Sequence, residues 1–308
     1  MVERQLVDVV LIGAAKSGTT TLANLLSEHP DVSLAFGKEP GFFSRNKGLF
    51  EGGPPDAPVP SGKYELGVDW YMDQFDKDVA KVRCDASTLY MYSPDSPALL
   101  RRHAPRAHVV AVVRDPVQRT ISHLAHEMRH DPALSVDDLA KGDDHPRVRH
   151  VRMVSRYSDH LERWASVWGR ESVLLLTTDE LGPHRLHRTL GRLAALIGLD
   201  DRPFTRVDPT RRDNPGIRMA SPRAYRWIIQ PRIRATLLPM PLRRMTRPVR
   251  DLLVRLNARA ASAELVPMDV RERLAKDFLP DKECVEDWLG RSLTDWCVEA
   301  RPDGWARR

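Results

Sequence analysis

The run Val7-Asp8-Val9-Val10-Leu11-Ile12 leads directly into Gly13-Ala14-Ala15-Lys16-Ser17-Gly18-Thr19-Thr20, after which Leu22, Leu25, Leu26 and His29 recur at helical spacing. A short apolar run rich in β-branched residues and broken only by Asp8 is the pattern of a parallel strand covered on both faces. The unit reads as strand, glycine loop, helix. Such a unit turns the loop's amide groups and the positive end of the helix toward a bound anion. It constrains the fold more than any other feature of the chain.

Two further units follow in the same order. "AHVVAVV" (107–113) is a buried strand, and in "RDPVQRTISHLAHEMRH" Asp115 is placed to cap a helix, Pro116 fits its first position, and Val117, Ile121, Leu124 and Met128 make its apolar stripe. "SVLLLTTDEL" is a third strand, and "HRLHRTLGRLAALIGL" an amphipathic helix ending near Gly198. Between them, "YSDHLERWASVW" is a helix with Leu161, Trp164 and Trp168 inward, preceded by an insertion, "DPALSVDDLAKGDDHPRVRH". Strand-to-helix units in series predict an α/β fold: a P-loop-like central parallel β-sheet flanked by α-helices. The stretch from Gly37 to Gly67, rich in Gly and Pro and without strong periodicity, reads as a functional surface loop. "DVRERLAKDF" and "VEDWLGRSLTDW" are closing helical pieces. No linker marks a second domain, so the expectation is one domain over 1–308 with an arginine-rich, decorated C-terminal part from about 202 to 308.

Composition excludes several classes. With 42% hydrophobic and 29% charged residues the chain is globular rather than disordered. It has no run of about 18 apolar residues to cross a bilayer, so stable membrane insertion is not expected. "MVERQLVDVVLIG" has neither a long apolar leader region nor a small-residue cleavage site, which points to the cytoplasm. Cys84, Cys284 and Cys297 lack metal-ligand spacing and are odd in number. A net charge of +6 does not argue for nucleic acid. The charge is uneven, however: Arg202 to Arg259 holds fifteen arginines, no lysine and three acids. That segment either meets an anionic acceptor or a membrane surface, or reflects a general use of arginine for lysine, since the chain has thirty-nine arginines against nine lysines.

The position of Lys16 sets the chemistry apart from that of nucleotide hydrolases. Their loop ends in Gly-Lys-Ser/Thr, which puts lysine on the β and γ phosphates and a hydroxyl on Mg²⁺. Here Thr19 holds the place of that lysine, and Lys16 lies within the loop among Ser17, Thr19 and Thr20. The arrangement surrounds one phosphate and its immediate substituent rather than a triphosphate with metal. No metal is expected.

"AAKSGTTTL" resembles the 5′-phosphosulfate loop of sulfotransferases that use 3′-phosphoadenosine 5′-phosphosulfate (PAPS), and "VVRDPVQRTISH" resembles their 3′-phosphate motif. "KEPGFF", "GVDWYMDQF" and "RYSDHLERW…SVLLLTTDEL…LIGL" are similar, in the same order, to the heparan sulfate N- and O-sulfotransferase branch and its bacterial relatives. The likeness covers roughly 7 to 200.

The resemblance implies site residues. Lys16 stabilises charge on the bridging oxygen and leaving phosphate, while Ser17, Gly18, Thr19 and Thr20 hydrogen-bond the 5′-phosphate. Arg114 and Ser122, eight residues apart, hold the 3′-phosphate; sequence alone does not bring them together, because eight helical residues rise roughly 12 Å. Glu39 takes the place of the catalytic base, with Lys38 close to the transferring group. Tyr157 either contacts the nucleotide or packs in the core, and Arg218 is a candidate for the phosphates. His123 and His126 read as surface or cofactor-side residues rather than bases. Two departures stand out: "CDASTLY" has Asp85 and Ala86 where the family often has Glu-Lys, and "RRDNPGIRMASPR" lacks the cysteines that bound a late loop in the animal enzymes.

The reading is a sulfotransferase with PAPS as donor and adenosine 3′,5′-bisphosphate (PAP) as product. Its acceptor would be a small molecule or glycan: a hydroxyl of a carbohydrate, glycolipid or hydroxylated secondary metabolite. Oligomeric state is not legible. The alternatives are an ATP- and Mg-dependent P-loop kinase or hydrolase, and a non-catalytic nucleotide-binding protein.

Overall fold

A computed structural model of the chain describes residues 5–45, 62–76, 81–128, 131, 134–142, 145–209, 217–219, 258–260 and 266–297. Its centre is a sheet of five parallel strands, β1 (Val9–Gly13), β2 (Val32–Leu34), β3 (Val82–Asp85), β4 (His108–Val113) and β5 (Val173–Thr177), in the spatial order β2-β3-β1-β4-β5. Strands β1, β4 and β5 are the three apolar runs of the sequence. Strands β2 and β3 have no such signature; three and four residues are too few to carry a period, and pairing beside β1 makes them strands.

Ten helices follow in chain order among the described residues: α1 (Thr19–Leu26), α2 (Gly67–Met72), α3 (Ser96–His103), α4 (Pro116–Glu127), α5 (Val136–Ala140), α6 (Pro146–Met153), α7 (Tyr157–Trp168), α8 (Leu186–Ile197), α9 (Met268–Asp277) and α10 (Leu279–Leu289). The strands are apolar on both faces because both faces are covered. Val9 and Leu11 of β1 and Val110 and Val112 of β4 pack against Leu22 and Leu25 of α1 and Leu190 and Leu193 of α8. Val10, Ile12, Val109 and Ala111 pack the other way, against Leu161 and Trp164 of α7. Burying each of the larger side chains contributes about 1.5–3 kcal/mol.

The predicted insertion after α4 is a packed layer. A capping box, with Ser135 and Asp138 bonded reciprocally, starts α5. Leu139 of α5 and Val148 and Val151 of α6 then join Val117 and Leu124 of α4 and Leu274 of α9 in a third core. Most of the arginine-rich segment lies outside the described residues. Within it, β6 (Ile217–Met219) pairs antiparallel with β7 (Ala258–Ala260), setting Arg218 opposite Arg259; the Arg218 side chain is outside the described part.

Candidate active site

Strands β1 and β4 are neighbours, but the chain leaves β1 toward β2 and leaves β4 toward β5. Their C-terminal ends therefore bound a crevice, where ligands of open α/β sheets bind. Gly13 closes β1 at a close approach: a Cβ there would lie 2.7 Å from Cβ of Met91. The loop then folds back, with the Ala14 amide donating to the Val112 carbonyl (2.6 Å) and the Ser17 amide to the Ala14 carbonyl (3.2 Å). Gly18, with φ 90°, is the N-cap of α1. The first bond of α1 runs from the Leu22 amide to the Gly18 carbonyl (3.1 Å), so the amides before it are not used by the helix. Thr178, just after β5, donates to the carbonyls of Ser17 (3.2 Å) and Val113 (3.1 Å) and ties the loop to the sheet. The Ser17 hydroxyl is buried beside the Tyr157 phenol without a well-formed hydrogen bond. An orphaned hydroxyl costs about 1–3 kcal/mol, and its position at a helix N-terminus suits an anion's oxygen.

Lys16 takes a left-handed backbone with φ 69°, and Lys38 does so with φ 72°. Residues with a Cβ enter this region uncommonly, at a cost of about 1–3 kcal/mol, so the surrounding structure holds both lysines there. The Lys38 ammonium donates to Glu39 Oε1 (2.8 Å), to Thr20 Oγ1 (3.1 Å) and to Thr19 Oγ1 (3.3 Å), so one cation joins the start of α1 to the carboxylate. Glu39 Oε2 accepts from the Thr88 hydroxyl (3.0 Å). Its side chain is 34% exposed, open enough for an acceptor to reach. Glu39 is thus held at both oxygens, although its loop carries no regular structure.

The opposite wall is built on α4. Asp115 caps the helix as predicted, accepting from the amides of Val117 (2.8 Å) and Gln118 (3.1 Å), and it also accepts from the Cys297 amide (3.1 Å). The Arg114 guanidinium donates to Gln118 Oε1 (3.1 Å). Gln118 and Ser122 are one turn apart and share a helix face, so Arg114 lies along the face that carries Ser122. Tyr157 is wholly buried, and its hydroxyl donates to the Arg114 carbonyl (2.8 Å). It packs in the core and holds the end of β4.

The sequence reading missed Arg119. Its guanidinium is completely buried and donates to the Ser155 hydroxyl (2.5 Å), the Ala15 carbonyl (3.4 Å), His123 Nδ1 (3.0 Å) and the Val151 carbonyl. Burial lowers its pKa to about 10, so it stays charged at neutral pH and braces the loop from behind. The signal was hidden because Arg119 and His123 lie off the apolar stripe of α4 and read as a solvated face; Val151 and Ser155 of the following elements cover that face. His123, expected at the surface or beside the cofactor, is buried. Because Arg119 donates to its Nδ1, its proton sits on Nε2, 3.6 Å from Glu127. Burial, then the charge of Arg119, hold that imidazole neutral.

The geometry thus sets the loop of Lys16, Ser17 and Gly18 beside α4, whose start carries Arg114 and which bears Ser122, and joins Thr19 and Thr20 through Lys38 to Glu39. Residues 6–206 match the sulfotransferase domain family, and the chain belongs to that family. Among curated proteins it is 29% identical over 211 residues to the bifunctional heparan sulfate N-deacetylase/N-sulfotransferase 1 of Caenorhabditis elegans, an alignment covering 66% of this chain and 23% of that protein. It is 26% identical over 203 residues to human heparan sulfate glucosamine 3-O-sulfotransferase 3B1, covering 64% of this chain and 47% of the relative. The match therefore spans less than half the length of these relatives. A crystal structure of a sulfotransferase from Alicyclobacillus acidocaldarius superposes with a TM-score of 0.63 at 22% identity, over 94% of this chain and 98% of that one. That likeness establishes the fold.

Proposed function

We propose that the chain moves a sulfuryl group from PAPS to a hydroxyl of a carbohydrate, glycolipid or hydroxylated secondary metabolite in the cytoplasm, with PAP as the second product and no metal. The observation that carries this reading is the Lys38 ammonium, which bonds both the Glu39 carboxylate and the threonines that open α1. A base and an anion cradle lie one side chain apart. The two curated relatives above are by name heparan sulfate sulfotransferases, which supports a glycan among the acceptors.

In this reading the amides and hydroxyls of Ser17, Gly18, Thr19 and Thr20 hold the donor's 5′-phosphate, and the buried Ser17 hydroxyl gains its missing partner there. Arg114 and Ser122 hold the 3′-phosphate, and Arg218, from the arginine-rich part, is a further contact to the donor's phosphates. Tyr157 acts through the backbone of Arg114. The donor, when bound, supplies a sulfuryl group on a phosphate leaving group. Glu39 takes the proton of the acceptor hydroxyl as the acceptor oxygen bonds to sulfur and the sulfur–oxygen bond to phosphate breaks. Lys16 stabilises the charge left on the phosphate, and Lys38 the charge crossing between donor and acceptor.

The test is transfer of labelled sulfate from PAPS to a panel of hydroxylated acceptors, with Lys16→Ala and Glu39→Ala alongside. Activity of both variants at the wild-type level overturns the mechanism. Calorimetry with PAP, ADP and ATP with Mg²⁺ separates the alternatives. Binding that requires the 3′-phosphate supports the proposal, tighter binding of ATP with Mg²⁺ indicates a kinase or hydrolase, and PAP binding without turnover of any acceptor indicates a binding protein.

A further inference from the structure

Asp85 ends β3 beneath the loop that carries Glu39, and its side chain is fully buried. Four donors converge on it: the Ser87 amide (3.0 Å) and hydroxyl (2.7 Å) on Oδ1, and the hydroxyls of Tyr90 (2.8 Å) and Tyr71 (3.0 Å) on Oδ2. Two of those hydroxyls also touch the Glu39 loop. Ser87 Oγ accepts from the Gly41 amide (2.9 Å), and the Tyr90 oxygen accepts from the Phe43 amide (3.1 Å). A third tie, from the Ala86 amide to the Lys38 carbonyl (3.1 Å), is plain backbone.

A hydroxyl has one proton. Those of Ser87 and Tyr90 are committed to Asp85, which turns their lone pairs toward Gly41 and Phe43. This works only while Asp85 accepts at both oxygens. We infer that Asp85 is a positioning residue for the Glu39 base, fixing the direction of the Ser87 and Tyr90 hydroxyls so that they anchor the loop just after Pro40. The inference rests on the proposed sulfuryl transfer for its catalytic meaning, but the anchoring itself can be read without turnover.

The surroundings make the anchor sensitive to acid. Burial pushes Asp85 up to about 6, against the opposing pull of the Ser87, Tyr90 and Tyr71 bonds. The titratable groups facing it are Tyr71 from α2, Tyr90 from the turn after β3 and Cys84 beside it, with Lys38 on the loop near Cys84. Burial and the Asp85 charge push both tyrosines well up, so they remain donors. A protonated Asp85 must donate at one oxygen and is a weaker acceptor at the other, so neither the Ser87 nor the Tyr90 hydroxyl keeps its fixed direction.

The experiment is residue-resolved hydrogen exchange of the full chain, corrected for the intrinsic pH dependence, alongside steady-state kinetics, for wild type, Asp85→Asn, Ser87→Ala and Tyr90→Phe. At pH 7.5, Asp85→Asn is expected to lower protection of Gly41 and Phe43 about tenfold, Ser87→Ala that of Gly41 alone, and Tyr90→Phe that of Phe43 alone. In wild type the same two amides lose protection as pH falls through about 6. In Asp85→Asn that step is absent. The kcat of Asp85→Asn falls about tenfold while donor KM and PAP affinity stay within about twofold, because only the base is misplaced. Unchanged protection at Gly41 and Phe43 in a folded Asp85→Asn protein overturns the inference, as does a loss spread evenly over β1, β3 and β4. If Asp85→Asn does not fold, the separate effects of Ser87→Ala and Tyr90→Phe decide it. A wild type that shows the exchange pattern but transfers no sulfate refutes the proposed function and leaves the anchor standing.

Discussion

The two sides of the crevice are built by different means. The cradle side, Gly13 to Thr20 with the start of α4, is short-range structure: consecutive amides at one helix end, a capped second helix, and cations supplied by the same segments. The Glu39 side is long-range: the carboxylate sits on an irregular loop held by Lys38, Thr88, Ser87 and Tyr90, and beneath them by Asp85. Their buried titratable groups also differ. Behind the cradle lie imidazoles kept neutral beside Arg119; beneath the base lies a carboxylate.

The sharpest way to break this comparison is at Lys16. Lys16→Ala is expected to lower kcat about 10³-fold, the scale of removing one preorganised charge from a transition state, with KM for the acceptor little changed. A similar loss through acceptor KM alone would mean that the cradle and base sides are not separate. Arg114→Ala is next: PAP affinity should fall about 100-fold while affinity for adenosine 5′-phosphate stays level, by calorimetry, since one charge-assisted fork is removed.

Acid separates the two sides by sign. Burial lowers His150 to about 3, with Arg119 and Arg147 adding to it, and lowers His123 as well. A depressed histidine contributes stability that is fully present above its unfolded value of 6.5 and is lost as pH falls toward the folded value. His150 should therefore destabilise the fold by about 2 kcal/mol between pH 6.5 and 5, measured by urea unfolding, with His123 acting in the same direction. Asp85 works the other way: raised from 3.8 to about 6, it favours the folded state more as pH falls through that window. His150→Gln should flatten the acid loss, and Asp85→Asn should steepen it. The smallest effect is expected at Ser122→Ala, about fivefold in PAP affinity, the loss of one neutral hydrogen bond. No loss there would leave Arg114 as the main 3′-phosphate contact.

Much of the cradle was legible because its physics is local. The spacing of Gly13, Lys16 and Gly18 ahead of a helix, and Asp115-Pro116 after an apolar strand, carry their meaning within a few residues. Arg119 gave no signal, and the burial of His123 was not legible, for the opposite reason: burial depends on what covers a residue, and Ser155 and Val151 are more than thirty residues beyond Arg119. β2 and β3 were invisible for want of length, yet β3 carries the carboxylate beneath the base.

The strand, glycine loop and helix units, the parallel sheet and the displaced lysine can be read along the chain, because hydrophobic period, capping and backbone amides act between near neighbours. That Glu39 is held rather than solvated, and that Arg119 is buried, emerges only from the packed fold. Those outcomes depend on desolvation and on hydrogen bonds between segments distant in the chain, which no local pattern encodes.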